Sequence, residues 1–350
     1  MAYTTIDDPT AYFQTTLYTG NGGTQSITNT GNSDLQPDWV WVKERNGATK
    51  HYLFDSVRGV YKSLHSHNAD DELDNSNTLT AFNSDGFSIG NLAEMNTSSD
   101  TYVSWNWKAG TSFTNDASGT GIGTIDSAGS FNNDSGFSIV SYTGTGSNGT
   151  IKHGLNSTPK TIITKKRSAS QGWHVQHASL GATKELYLNT GDAAATGSTP
   201  WNNTTPTASV FSVGTSGGTN GSSATYIAYC FAEKQGYSKF SSYVANGSAD
   251  GGFVYTGFKI GWLMIKRTDS AAGWIIYDSK REGRNTENDY LLASSSSGEG
   301  GNNEIDLYSN GFKPREANRN ELNVSGASYV YMAFASEPFV TSTGVPATAR

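Results

Sequence analysis

The amino-acid sequence predicts an all-β protein, built as three tandem antiparallel β-sandwich modules of jelly-roll or lectin-like type. Three observations carry that prediction: a polar, glycine-rich composition with many aromatics, apolar runs with strand alternation, and one pattern that recurs three times. Of 350 residues, 35% are hydrophobic and 16% charged, with 40 Gly, 8 Trp, 18 Tyr and 15 Phe. Such a chain suits short strands and tight turns, and its aromatics separate it from polar disordered chains, which lack them.

The repeat is anchored twice. The segments PDWVWVKERN (37–46), PKTIITKKRS (159–168) and IGWLMIKRTD (260–269) each end an apolar strand in a lysine, at Lys43, Lys165 and Lys266. The segments TYVSWNWKAG (101–110), TYIAYCFAEK (225–234) and SYVYMAFASE (328–337) carry Tyr102, Tyr226 and Tyr329. The lysines are 122 and 101 residues apart and the tyrosines 124 and 103, so two independent anchors agree on the offsets. Upstream, FQTTLYTGNGG (13–23), FSIVSYTGTGS (137–147) and YSKFSSYVANGSADG (237–251) extend the likeness.

Downstream, HYLFDSVRG (51–59) and GWIIYDSKREG (273–283) place Asp55 and Asp278 twelve residues after their lysines, and GWHVQHASLG (172–181) carries Ala178 at the matching place. Two-residue hairpins are expected at NSDGFS (83–88) and YSNGFK (308–313), with Asp-Gly and Asn-Gly at their centres. In TYIAYCF, Tyr226, Ala228 and Cys230 alternate with Ile227, Tyr229 and Phe231, as a pleated strand requires. No stretch holds helical spacing over three turns.

These anchors divide the chain into an N-terminal segment (1–11), module one (12–108), a Gly/Ser/Thr-rich linker (109–135), module two (136–234), module three (237–339) and a tail (340–350). Each module is expected to bury its own aromatic strands.

The net charge of −7 is spread along the chain, which argues against nucleic acid and anionic membranes as partners. The single cysteine, Cys230, excludes an intrachain disulfide framework and reads as a small core residue. The N-terminus has no basic-then-apolar leader, and no run approaches the length of a membrane helix, so synthesis in a cytoplasm without an export signal and no membrane insertion are expected.

No constellation of residues announces catalysis. His51, His153, His174 and His177 lack an evident serine-and-carboxylate set. In HSHNADDELD, His65 and His67 stand beside Asp70, Asp71, Glu72 and Asp74, but without the spacing of a calcium loop or a zinc site; this reads as a solvated acidic loop. No catalytic, cofactor or metal residue is therefore assigned. The candidate ligand contacts are Lys43, Lys165 and Lys266, by their repetition, and Trp201, the one tryptophan isolated in a polar loop (STPWNNTTP). For the lysines the plain alternative is a strand-ending side chain that snorkels to solvent, with surface pairing of Lys43 to Asp55 and Lys266 to Asp278. The remaining tryptophans lie in strand runs and read as core.

Four stretches carry a wider likeness: MAYTTIDDPTAYFQTTLYTGNG, KHGLNSTPKTIITKKRS, LYLNTGDAAATGSTPWNNTTPTASVFSVGT and YIAYCFAEKQGYSKFSSYVANGSADGGFVYTGFKIGWLMIKRTD. Over nearly the whole chain they resemble a family of repeat proteins of marine bacteriophages, cyanophage and pelagiphage types among them. The resemblance implies a place in the virion and carries over no catalytic residue. It leads to the expectation of a non-enzymatic structural protein of the virion surface, a tail-fibre or receptor-binding component. Other virion proteins, host surface glycan and further copies of the chain are its expected partners. A capsid decoration (cement) protein is the alternative, and a tail-associated polysaccharide depolymerase the third reading.

Overall fold

The computed structural model describes residues 2–282 and 285–348; residues 1, 283, 284, 349 and 350 of the segments delimited above lie outside it. The chain is all-β, with antiparallel pairing throughout its sheets.

Twelve strands form the framework. The first stretch supplies β1 (Phe13–Thr19), β2 (Trp39–Glu44), β3 (Tyr52–Asp55) and β4 (Thr101–Trp107). The second supplies β5 (Phe137–Thr143), β6 (Thr161–Lys166), β7 (His174–His177) and β8 (Thr225–Phe231). From the third come β9 (Ser238–Val244), β10 (Phe258–Arg267), β11 (Trp274–Asp278) and β12 (Ser328–Pro338). The order β1-β4-β2-β3 recurs as β5-β8-β6-β7 and as β9-β12-β10-β11.

Register makes the positions equivalent. Trp39, Thr161 and Trp262 each face the last strand at Trp107, Phe231 and Phe334, and the third strand at Asp55, His177 and Asp278. This corrects the alignment at the middle stretch: the counterpart of Asp55 is His177, not Ala178.

Along each strand the side chains alternate between two buried faces, which is why the strands read as almost continuously apolar. One face packs locally. Val40, Val42 and Phe54 lie against Ile27, Phe87 and Ile89 of a small three-stranded sheet (Gln25–Ile27, Gly86–Ile89, Leu79–Asn83). Ile162 and Cys230 lie against Ile151 and Phe211 of the pair Gly149–Lys152 and Val210–Val213. Leu263 and Tyr277 lie against Leu307 and Phe312.

The opposite faces of all three sheets meet in one central core. Trp39, Trp41, Trp105 and Trp107 from the first stretch pack with Trp173, Tyr229 and Phe231 from the second and Trp262, Trp274 and Phe334 from the third. Trp39 stacks on Tyr229 at 4.4 Å, and Trp107 meets Trp262 edge-on at 5.5 Å. The aromatic strands are thus shared, and the expectation that each copy buries its own is corrected. A strand with apolar residues on both faces needs a partner layer on each side, and only the neighbouring copies provide the second.

Three smaller expectations also change. The 109–135 stretch is not a free linker: Thr111–Asn115 and Ser127–Asn132 extend the second sheet beyond β5. The hairpins turn at Ser84-Asp85 and Ser309-Asn310, because Asn83 pairs with Gly86 and Tyr308 with Gly311. Gly86 then takes φ +100° just after the turn, its Cβ position 1.9 Å from the Ile27 carbonyl oxygen, so glycine is required there. The tail is tied to the other end of the chain, where the Ser342 amide donates to Asp7 at 2.6 Å.

Candidate functional site

The repeated lysines are buried. Lys43, Lys165 and Lys266 are each 0% exposed, on the face of the sheet that looks inward, which corrects the expectation of side chains snorkelling to solvent. Their ammonium groups donate to main-chain carbonyls. Lys165 Nζ reaches Ala69 O (3.2 Å), Lys166 O (3.0 Å) and Gln171 O (2.8 Å). Lys266 Nζ reaches Gly191 O (3.0 Å), Arg267 O (2.9 Å) and Ala272 O (2.9 Å). Lys43 Nζ reaches Glu44 O (2.7 Å) and Gly47 O (3.0 Å). Burial pushes all three down to about 8. Lys165 and Lys266 each place three N–H donors on carbonyls and Lys43 places two, so all three act as clamps on loops.

Two of the three clamps link one stretch to the next, while that of Lys43 stays within its own. Ala69 belongs to the first stretch and Lys165 to the second; Gly191 belongs to the second and Lys266 to the third. Beside them the main chain pairs in the same sense, Glu72 N to Arg167 O (3.0 Å), Ala194 N to Thr268 O (2.9 Å) and Glu299 N to Arg45 O (2.7 Å). The third of these joins the last stretch back to the first, so the ring closes. Arg167 with Glu72 and Arg45 with Glu299 add ion pairs, each at 2.8 Å, to two of the three seams.

A second set of cyclic contacts lies deeper. Opposite the lysines, His51, Trp173 and Trp274 reach main-chain oxygens of the preceding stretch in the ring: His51 Nε2 to Leu292 O (3.1 Å), Trp173 Nε1 to His65 O (2.8 Å), Trp274 Nε1 to Tyr187 O (2.8 Å). At the third-strand ends, Asp55 Oδ2 accepts from Tyr229 OH (2.7 Å) and Asp278 Oδ2 from Trp105 Nε1 (3.0 Å), while His177 Nε2 donates to Tyr331 O (3.2 Å). Ser179 N donates to His177 Nδ1, which fixes the Nε2–H tautomer.

Asp55 and Asp278 do not pair with lysines. Each holds a buried arginine three residues on, Arg58 at 2.5 Å and Arg281 at 2.6 Å, with both partners fully buried. Sequence reasoning passed over these arginines, although D-S-x-R stands at 55–58 and again at 278–281. It also passed over Asn96, Asn220 and Asn323, buried amides that each tie two loop carbonyls. The tyrosine anchors have a matching structural part. Tyr102, Tyr226 and Tyr329 stack on Tyr18, Tyr142 and Tyr243 at 4.9, 5.1 and 5.1 Å and accept from the Thr97, Gly221 and Val324 amides.

Trp201 is 0% exposed and packs in the core of the second stretch with Phe211 and Tyr226, which corrects its reading as a solvent-facing loop aromatic. His65 is fully buried, and Glu72 belongs to a seam through Arg58 and Arg167, so the 65–74 stretch is not a solvated loop throughout; Leu73 and Asp74 do face solvent. Among the described residues no three His, Cys, Asp or Glu side chains are gathered as a metal would need. Cys230 is buried, which pushes its thiol up to about 12. Among the described residues no helix is long and apolar enough to cross a membrane. The large hydrophobic side chains that face solvent include Phe253 and Tyr255, 50% and 52% exposed, on the third stretch.

Fold and seams together define an all-β protein whose inward-facing polar groups hold three similar sheets around one aromatic core. The chain belongs to the family described as a domain of unknown function, DUF7483, whose model matches residues 8–338 and so takes in all three stretches at once. No curated protein matches it.

Proposed function

We propose that this chain is a non-enzymatic structural protein of a bacteriophage virion surface, with three tandem β-sandwich modules closed into a ring. Its modules present their outer loops to the host as a tail-fibre or receptor-binding component. The observation that carries the reading is the use of the repeated residues. Lysines, tyrosines, tryptophans and Asp–Arg pairs that recur between copies serve internal packing and seams, as a scaffold requires and as an active site does not. The loops that differ between copies, such as 202–209 and 246–252, are largely exposed and rich in Ser, Thr, Asn and Gly. The resemblance of four long stretches to marine phage repeat proteins supports the phage setting.

Labelled antibody or cryo-EM localisation on purified particles tests this. Signal on the outside of the tail supports it, and signal confined to the capsid interior, or none on the particle, overturns it.

The cyclic closure favours a second reading, a capsid decoration protein seated where the head has local threefold symmetry. Hundreds of copies per particle would decide for decoration, and a number matching the tail fibres for attachment.

A further inference from the structure

The three sheets end differently at one edge. In an antiparallel pair every second residue turns its N–H and C=O away from the neighbouring strand. Tyr237 O accepts from Ala335 N–H and Ala245 N–H donates to Ala327 O, which fixes the alternation along β9. The main-chain groups of Ser238, Phe240, Ser242 and Val244 therefore point outward. Ser238 N–H donates to Lys234 O (2.9 Å) and Phe240 N–H to Glu233 Oε2 (3.3 Å). The N–H and C=O of Ser242 and Val244 have no partner among the described residues.

On the second sheet the same edge is covered. There Ile139 and Ser141 of β5 pair with Ser130 and Ala128 of the added strand Ser127–Asn132. On the first sheet Leu17 holds the place of Ser242 and is 37% exposed. Thr15 before it is buried, and Thr19 O after it accepts from Gln25 Nε2 (3.1 Å). Of the three equivalent edges, that of β9 is the most open.

The strand carries no guard. Natural edges are kept apart by lysine, proline or a bulge, and residues 240–245 (FSSYVA) hold none of these. Val244 is 68% exposed, the highest value among the described large hydrophobics. Beside it lies a groove of about 520 Å³, lined by Ser242 and Val244 and also by Leu180, Lys184, Thr268 and Ser328. Side chains of a further strand would have room there.

We infer that two copies of this chain join edge to edge along Ser242–Val244, antiparallel about a twofold axis. Ser242 N–H of each copy donates to Val244 O of the other, and Val244 N–H to Ser242 O. The two Tyr243 residues face each other at the centre, and each Val244 lands opposite Ser242. The occupant is a second copy because outward groups two residues apart on an antiparallel edge match themselves under a twofold, the usual symmetry of a homodimer. No charged side chain stands between 240 and 245, so like charges do not oppose each other along the joined strands. A contact this small is transient, which makes the chain a monomer when dilute and a dimer toward about 1 mM. The inference concerns the free chain, and its failure leaves the virion reading untouched.

Small-angle scattering on the full chain from about 10 µM to about 1 mM tests it, with hydrogen exchange at the Ser242 and Val244 amides read at both ends. The apparent mass should double, and exchange at those two amides should slow by about tenfold or more in the concentrated sample. Val244→Lys, at an exposed position, should leave the thermal midpoint level and the chain monomeric throughout. Ser242→Pro removes an outward N–H that the sheet does not use, and should prevent the dimer in the same way. A chain that stays monomeric over the whole range overturns the inference. So does a dimer whose Ser242 and Val244 amides exchange at the dilute rate, or one that survives both substitutions.

Discussion

Replacing Asp55 by alanine removes the partner of a charge that has no route to solvent. Arg58 is fully buried, and besides Asp55 it reaches the Lys62 and Leu53 carbonyls at 2.9 Å and Glu72 at 3.3 Å. Asp55 also accepts from the Arg58 amide at 2.8 Å and from Tyr229 of the second stretch at 2.7 Å. Breaking a buried pair by removing one member costs about 3–5 kcal/mol, because the other charge stays desolvated. Glu72 shares part of that charge, which sets the expected loss for Asp55→Ala near about 3 kcal/mol. The exposed pair of Lys62 with Asp74 is the internal control, and Asp74→Ala should cost less than about 1 kcal/mol. Urea unfolding followed by tryptophan fluorescence reads both, since the rings of the central core report on the same region. An Asp55→Ala loss no larger than that of Asp74→Ala would refute the claim that this pair holds the seam.

Three further outcomes follow from the same geometry. Burial pushes His153 and His177 down to about 4 and His65 down to about 3, so below pH 6.5 the unfolded chain takes up protons that the folded chain refuses. Each should then lose about 2 kcal/mol of stability by pH 5. Glu304, pushed up to about 6 by burial, takes its proton in the folded state and returns about 1 kcal/mol, so denaturation midpoints measured from pH 7 to 5 should still fall steeply. Trp201→Ala opens a hole in the second core and should cost about 3–5 kcal/mol in a thermal melt. Lys165→Met and Lys266→Met each strand three carbonyls and Lys43→Met two, so the first two should unfold at lower urea than the third, by about 1–3 kcal/mol.

Much of the framework is legible in the sequence because strand pairing repeats its own signals. The Tyr102, Tyr226 and Tyr329 anchors mark the last strand of each sheet, and the alternation in TYIAYCF separates Ile227, Tyr229 and Phe231 on the central face from Tyr226, Ala228 and Cys230 on the local one. The shared core was less legible. Trp39, Val40, Trp41 and Val42 are apolar on both faces, a sign that a second layer is needed, but nothing local says that the layer comes from another copy. The lysines misled for a related reason: a charge at a strand end ordinarily reaches water, and here the next loop in the ring covers it with carbonyls. Trp201 sits among polar neighbours in sequence while folding beneath them, which a one-dimensional window does not record.

Calorimetric unfolding of the full chain bears most directly on the ring. One aromatic core shared by three stretches, with seams that return from the last to the first, predicts a single transition whose calorimetric and van't Hoff enthalpies agree. It also predicts that residues 136–234 alone give no cooperative melt, since Trp173, Tyr229 and Phe231 would lose their partners. Three separable transitions, or an isolated 136–234 fragment that melts cooperatively at the temperature of the whole, would contradict it.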